Sequence, residues 1–231
     1  MSKVLEISSE VFDKIPDLII ISGKFEIGFP DTNEIQSYLK ESWDSLTKEV
    51  KTHGHSSHPL IAQWRKALQE AKVSVKKFPP SIQALAKRTQ RFDAPFNINP
   101  IVDTYNAISM DLVLPGGAYD IEKIDGGLQL RVSTGGESFS PIGKSDDYPT
   151  VLGEIVYADD VAIITRQFLW QQADKGKITE STRSMVFVFE LLTGMGQEVL
   201  DNAVNAIEDR FSSLLDGDVT DLHIHKQYPR V

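Results

Sequence analysis

No motif in this chain limits its fold as tightly as one change of hydrophobic period. Between residues 31 and 70 apolar side chains recur at helical spacing: Ile35, Leu39, Trp43 and Leu46, then Ile61, Trp64 and Leu68. Asp31 or Thr32 can cap the first of these helices, and Pro59 starts the second. "FPPSIQALAKRTQRF" predicts a third, again opened by proline. From residue 118 the apolar residues come in short runs, "AYDIEKI", "GLQLRVS", "GEIVYAD" and "VAIITRQFLW", separated by Gly, Asp or Pro. "SMVFVFELL" is apolar on both faces and carries β-branched valines, which predicts a buried strand, although period alone leaves a short buried helix open. "QEVLDNAVNAIEDRFSSLL" returns to helical period, with Val199, Ala203, Ile207 and Phe211 in register. Near the start, "DLIIISGKFEIGF" reads as β structure with a Gly-Lys turn, and the tail "HIHKQYPRV" as extended or frayed. No linker separates the helical part from the β-rich part, so one α+β domain over residues 1–231 is expected.

The residue inventory removes several chemistries. There is no cysteine, hence no disulfide, thiolate metal site or thiol nucleophile. The histidines are His53, His55, His58, His223 and His225, so a serine anywhere between has no imidazole base nearby in sequence. "HGHSSH" is a Gly/Ser-rich polar loop with nothing to enforce tetrahedral ligation, and no metal or cofactor is expected. There is no G-x-S-x-G elbow and no phosphate-binding P-loop, and "GMGQEV" lacks the third glycine of a dinucleotide fingerprint. No basic start followed by an apolar run opens the chain, and no stretch has the length of a membrane span, so a soluble, cytoplasmic protein is expected.

Charge is unevenly spread. The net charge is −9, yet residues 65–91 hold eight cations against Glu70 alone, a local +7 that leaves −16 on the rest. That window is either a solvated helical face or a phosphate-contacting patch on an acidic body.

The segment "NPIVDTYNAISMDLVLPGGAYD" (99–120) is the most informative. Asn99-Pro100 is a cap followed by a first helical position. Asp103, Asn106 and Ser109 fall on one i, i+3 stripe, and Ile101, Tyr105, Ile108 and Leu112 on another. Gly116 and Gly117 remove side chains where the chain turns back, which lets a ligand approach backbone N–H groups. Such a wall suits a zwitterionic ligand of amino-acid size. Arg131 and Arg166 sit inside strands. If buried they need carboxylate partners, for which Glu137, Glu154 and Asp159 are available.

This segment, followed by "LQLRVSTGGESFSPIG", "GEIVYADD" and "RQFLWQQADKGKITESTRSMVFVFE", resembles the B3/4 tRNA-binding and editing domain of the bacterial phenylalanyl-tRNA synthetase β subunit. It is more similar still to the stand-alone B3/4 proteins, through "IAQWRKALQ" and "KKFPPSIQALAKR". The resemblance covers roughly residues 60–195, with 1–59 and 196–231 as terminal elaborations. It implies a three-layer α+β fold containing a β-sandwich of unusual topology with flanking helices. The family's pocket hydrolyses tRNA charged with tyrosine in place of phenylalanine, and this chain is too short to hold the aminoacylation core. The resemblance therefore implies a free-standing protein that edits mischarged aminoacyl-tRNA in trans, by water attack and without a protein nucleophile. The alternative is a non-catalytic module of the same fold that binds RNA or an amino-acid-like ligand.

Residue by residue, Asn106 matches the family's asparagine and Pro115 its proline, while Gly117 stands where the synthetase domain has a histidine. The family's glutamate that reads the tyrosine hydroxyl should fall near Lys175–Lys177, where no acid aligns. The expected catalytic group is Asn106, Ser109, Gly116 and Gly117. The first two would hold the α-amino group or orient water, and the glycine N–H groups would donate to the oxyanion. Tyr105, Glu137, Asp159, Arg166, Trp170 and Gln172 are expected around the substrate, with Asp159 or Glu137 holding Arg166 and Trp170 on the ligand or the terminal adenine. Arg65, Lys76, Lys77, Lys87 and Arg88 would take tRNA phosphates, with neither DNA nor membrane as partner.

Overall fold

The computed structural model describes residues 4–144 and 146–227. In chain order the elements are β1 (Leu5–Ile7), α1 (Ser9–Lys14), β2 (Leu18–Glu26), α2 (Thr32–His53), α3 (Pro59–Glu70), α4 (Ser81–Thr89), α5 (Pro100–Leu112) and β3 (Gly116–Asp120). Then come β4 (Leu128–Val132), β5 (Ile155–Ala158), β6 (Ile163–Arg166), β7 (Gln171–Gln172), β8 (Ser184–Leu192), α6 (Gln197–Leu215) and β9 (Val219–Lys226). The protein is α+β, with helices concentrated before β3 and strands after it, as the change of period requires.

Two sheets form. One has the order β1-β4-β5-β6-β7, the other β3-β8-β2-β9. β8 explains why they stack. Its odd residues Phe187 and Phe189 pack on Phe211 of α6, with ring centroids 5.0 and 6.2 Å apart. Alternation turns Val186, Val188 and Glu190 to the opposite face, where Glu190 meets Tyr157 of β5. One face of this sheet is thus covered by helix and the other by the second sheet. α2 runs along α5 and is tied to it by Tyr38 Oη donating to Asp111 and Gln36 Nε2 donating to Asp103.

Three local expectations change or are decided. Gly23-Lys24 is no turn, because β2 runs unbroken through it and pairs with β8 over its whole length. Gly23 is there because a Cβ would stand 2.6 Å from Phe187 Cζ: the bare backbone lets that ring lie across the neighbouring strand. Of the two readings of the tail, "HIHK" takes the extended one, since it belongs to β9 and pairs with β2, although residues 228–231 lie outside the described ones. α5 stops short of the glycines, where the chain was expected to turn back. It ends at Val113, which takes a left-handed conformation (φ 54°), and both glycines are the first residues of a strand.

Candidate functional site

α5 and β3 form one side of a cavity of about 180 Å³, and the β6–β7 connection forms the other. α5 starts as its sequence predicts: the Asn99 side chain accepts from Val102 N, and Pro100 takes the first turn. The helix then offers Tyr105 and Asn106 to the cavity. Asp103 and Ser109, on the stripe that contains Asn106, go elsewhere. Asp103 accepts from Ile98 N and Gln36 Nε2. Ser109 is buried and donates its hydroxyl to Leu114 O, closing the helix C-terminus. Three residues along a helix turn through 300° rather than a full circle, so a run of i, i+3 steps drifts off any one face.

The two glycines do different things. The β3–β8 register pairs Gly116 with Phe189 and Gly117 with Val188, and Pro115 O accepts from Glu190 N. By the alternation of an antiparallel ladder, Gly117 exchanges its backbone bonds with Val188, and Gly116 and Ala118 turn theirs outward along the free edge. The Ala118 carbonyl is accordingly met by Gln172 Nε2 at 3.5 Å. The side-chain directions alternate too. A Cβ on Gly116 would collide with the Phe189 ring, whereas one on Gly117 would meet nothing within 4 Å. Gly116 is bare for packing, and Gly117 is bare toward the cavity.

The carboxylate of this cavity is Glu190, on β8. It is 2% exposed, and Tyr157 Oη donates to its Oε1 at 2.7 Å. Burial pushes its pKa up to about 7, against the lowering effect of that bond, so it exchanges a proton near neutrality. Tyr119 Oη and Thr165 Oγ1 bond to each other at 2.9 Å beside it. Burial raises the Tyr105 and Tyr119 phenols well above their ordinary value, which keeps both neutral. Asn106 and Gln172 add amides, and Phe168, Leu169 and Trp170 an apolar wall. Among the described residues, no imidazole lines the cavity.

Arg166 serves that wall from behind. Its Nε donates to Glu154 Oε1 at 2.8 Å, and the same oxygen accepts from Gln167 N at 3.0 Å. Gln167 and Phe168 both have positive φ, 52° and 60°, a strained pair of non-glycine residues that this bonding holds in place. The turn delivers Phe168, Leu169 and Trp170 to the cavity. Neither Asp159 nor Glu137 holds Arg166. Asp159 bonds Lys175 at 2.8 Å, and Glu137 bonds Arg131 at 2.5 Å. These acids instead border a separate surface groove with Ser138 and Ala162. The guanidinium of Arg131 holds the Glu137 carboxyl below its usual range, and the Lys175 ammonium and three backbone N–H groups do the same for Asp159 against the effect of burial.

The cationic window folds into a groove. Arg65, Lys76, Lys87, Arg88 and Arg91 line it, together with His55. Lys77 lies apart, with its Nζ 5.0 Å over the Phe78 ring, and Phe78 packs on Trp170 at the cavity. In the histidine loop, His58 Nδ1 accepts from Leu60 N and so caps α3, while His53 and His58 each approach Glu49 at 3.6 Å.

Glu190 is the residue that sequence reasoning passes over. Its signal was available: it is the one acid in a nine-residue strand that is otherwise Ser184 and apolar side chains. An ionisable group in a fully buried strand needs a polar neighbour or a ligand.

No helix among the described residues is long and apolar enough to cross a membrane. No curated protein sequence matches the chain. Among solved structures it is similar to an N-terminal fragment of the phenylalanyl-tRNA synthetase β-subunit from Pyrococcus horikoshii, at 10% identity and a TM-score of 0.50. That match covers 95% of this chain and 52% of the fragment, so the chain spans about half the length of the structure it resembles. Their likeness is one of fold. The B3/4 domain model matches residues 63–212, a span that holds the cavity, strands β3 to β8 and most of α6, and leaves out β1, β2 and β9. On that match the chain belongs to the B3/4 domain family.

Proposed function

We propose that the chain is an aminoacyl-tRNA ester hydrolase of the editing kind, acting in trans on mischarged tRNA. The observation that carries this reading is continuity: an amino-acid-sized cavity with a buried acid and an amide opens beside α4, whose Gln83, Ala84, Lys87 and Arg88 line a basic groove with no acid among its described lining residues. The synthetase fragment of similar fold makes tRNA the first nucleic acid to test. In this reading the groove takes phosphates and the cavity takes the aminoacyl group. The Asn106 amide orients the α-amino group or the attacking water, and the outward Gly116 N–H donates to the carbonyl oxygen as it gains charge. Water adds to the ester carbon, the bond to the ribose oxygen breaks, and the water proton leaves with that oxygen. No protein nucleophile is involved, and orientation supplies much of the acceleration.

Glu190 supplies an acid at the cavity, the role that the resemblance gives to a reader of the tyrosine hydroxyl. Tyrosine is therefore the first wrong amino acid to test. The open space at Gly117, where the family resemblance has an imidazole, favours one rival reading: binding without hydrolysis.

The test is deacylation of a panel of correctly and wrongly charged tRNAs. A subset is expected to lose its amino acid faster than spontaneously, and Asn106→Ala is expected to slow this by about 10²-fold, the usual cost of one positioned donor. Glu190→Gln is expected to shift which amino acid is removed. If every charged tRNA decays at its spontaneous rate, the hydrolase reading fails. Protection of a charged tRNA by the protein would establish the binding module in its place.

A further inference from the structure

The basic groove has a feature that phosphate contact does not require. Along α4, Ser81 lines the cavity, and Ala84 and Arg88 line the groove, with Arg91 just beyond the helix end. The steps of three, four and three residues trace a single helical stripe. One wall therefore runs from cavity to groove without a break, over about 12 Å at 1.5 Å per residue. Among the described residues, no acid lines the groove. Among the described residues, Lys76, Lys87, Arg88 and Arg91 have no carboxylate within 4.0 Å. Their charge is free for a ligand.

At the far end stand two aromatic rings. Phe92, which also lines the groove, is 46% exposed, and Phe96 is 52% exposed. Their centroids are 4.8 Å apart at an interplanar angle of 72°, so Phe96 steadies Phe92 by an edge contact without covering it from water. An aromatic surface beside unpaired cations is what a single strand of nucleic acid needs, with bases on rings and phosphates on ammonium and guanidinium groups. A duplex keeps its bases stacked internally and would leave the rings unused. An acidic protein segment would meet the cations but brings no planar bases to stack on the rings.

We propose that this groove binds unpaired RNA, with a base stacked on Phe92 and the flanking phosphates on Lys76, Lys87, Arg88 and Arg91. That the strand is RNA rather than DNA, and where it ends, are the parts that rest on the function proposed above: its 3′ terminus would pass Ser81 into the cavity. Stacking on Phe92 gives the protein a preference for an unpaired end over helical RNA, which phosphate contacts alone do not provide.

Fluorescence anisotropy tests this with an end-labelled RNA oligonucleotide, the same sequence as a blunt duplex, and its DNA counterpart. The single RNA strand is expected to bind more tightly than the duplex. Phe92→Ala is expected to weaken it by about 5- to 150-fold, the equivalent of 1–3 kcal/mol per stacked base, with no change in salt slope above ~0.1 M. Phe92→Trp should restore binding. Lys87→Gln should instead lower the salt slope by about 1. Phe92 is exposed, so the Ala variant should keep its fold, which circular dichroism would verify. Equal binding of duplex and single strand overturns the proposal, as does unchanged affinity in Phe92→Ala. Tighter binding of the DNA strand overturns the assignment to RNA. The oligonucleotide carries no amino acid, so Phe92-dependent binding can stand even if no charged tRNA is hydrolysed. Conversely, full-rate deacylation by Phe92→Ala would remove the stacking site and leave the hydrolase.

Discussion

Glu190 sits among Val186, Val188 and Ile20 because the strand pattern leaves it no other direction, and its proton affinity follows from that burial. The folded protein raises the carboxyl from 4.5 to about 7, so the native state holds the proton more tightly than the unfolded chain does. This group's contribution to stability is therefore fully present below pH ~4.5, declines as pH rises through the interval, and is lost above pH ~7. A shift of that size is worth about 3 kcal/mol as an upper bound. Glu190→Gln keeps the shape and can still accept from Tyr157 Oη, but it does not ionise. Urea titrations of both proteins at several pH values isolate this one group. The wild type is expected to lose stability relative to Glu190→Gln between pH ~4.5 and ~7. Parallel stability curves would mean that the carboxylate is solvated and that the cavity is wetter than its lining implies. A ligand offering a hydrogen-bond donor to Glu190 should flatten the wild-type curve, which joins the stability measurement to the specificity question.

At the scale of elements, β3 carries the cleanest contrast. Gly116→Ala places a methyl against the Phe189 ring, which is itself pinned by Phe211, so relief requires the sheet to move. Overpacking of this kind costs about 1–3 kcal/mol. Gly117→Ala, one residue along, adds a methyl to open space and should change stability by less than about 0.5 kcal/mol. Thermal melts of the two variants check this, and equal losses would mean that the strand alternation is misplaced. The same strand marks where sequence reading succeeds and fails. The capped start of α5 was legible, because Asn99 and Pro100 act on the backbone next to them. The helices of the basic window were legible from period, and the strand "SMVFVFELL" from its β-branched valines, since period alone leaves a buried helix open. Gly23 and Gly116 were not, since each exists for an aromatic ring on a strand distant in sequence. Ser109 was misread for a related reason: a small polar residue near a helix end serves backbone carbonyls as readily as ligands, and spacing cannot tell the two apart. The partners of Arg166 and Asp159 depended on which strands pair, and sequence spacing carries no such information.

Over the whole molecule, the same chain that builds a +7 window carries −16 elsewhere, and the balance between them sets how nucleic acid would approach. A uniformly basic protein binds more tightly as salt is lowered, because each neutralised phosphate releases counterions. Here two ranges compete. Groove contacts act at bonding distance, while the acidic remainder acts across the body of the protein. At ~0.1 M salt the Debye length is about 10 Å, so the distant acids are screened and the groove dominates. At ~0.01 M it is about 30 Å, and the whole molecule presents its net −9 to an approaching polyanion. RNA affinity is therefore expected to rise as salt falls toward ~0.1 M and then to flatten or decline toward ~0.01 M. The loss should appear in the association rate, because long-range repulsion acts before contact. Stopped-flow association across this range would resolve it. A log-linear rise continuing to the lowest salt would mean that the acidic surface lies too far from the approach path to matter, and that the groove acts as an isolated basic site.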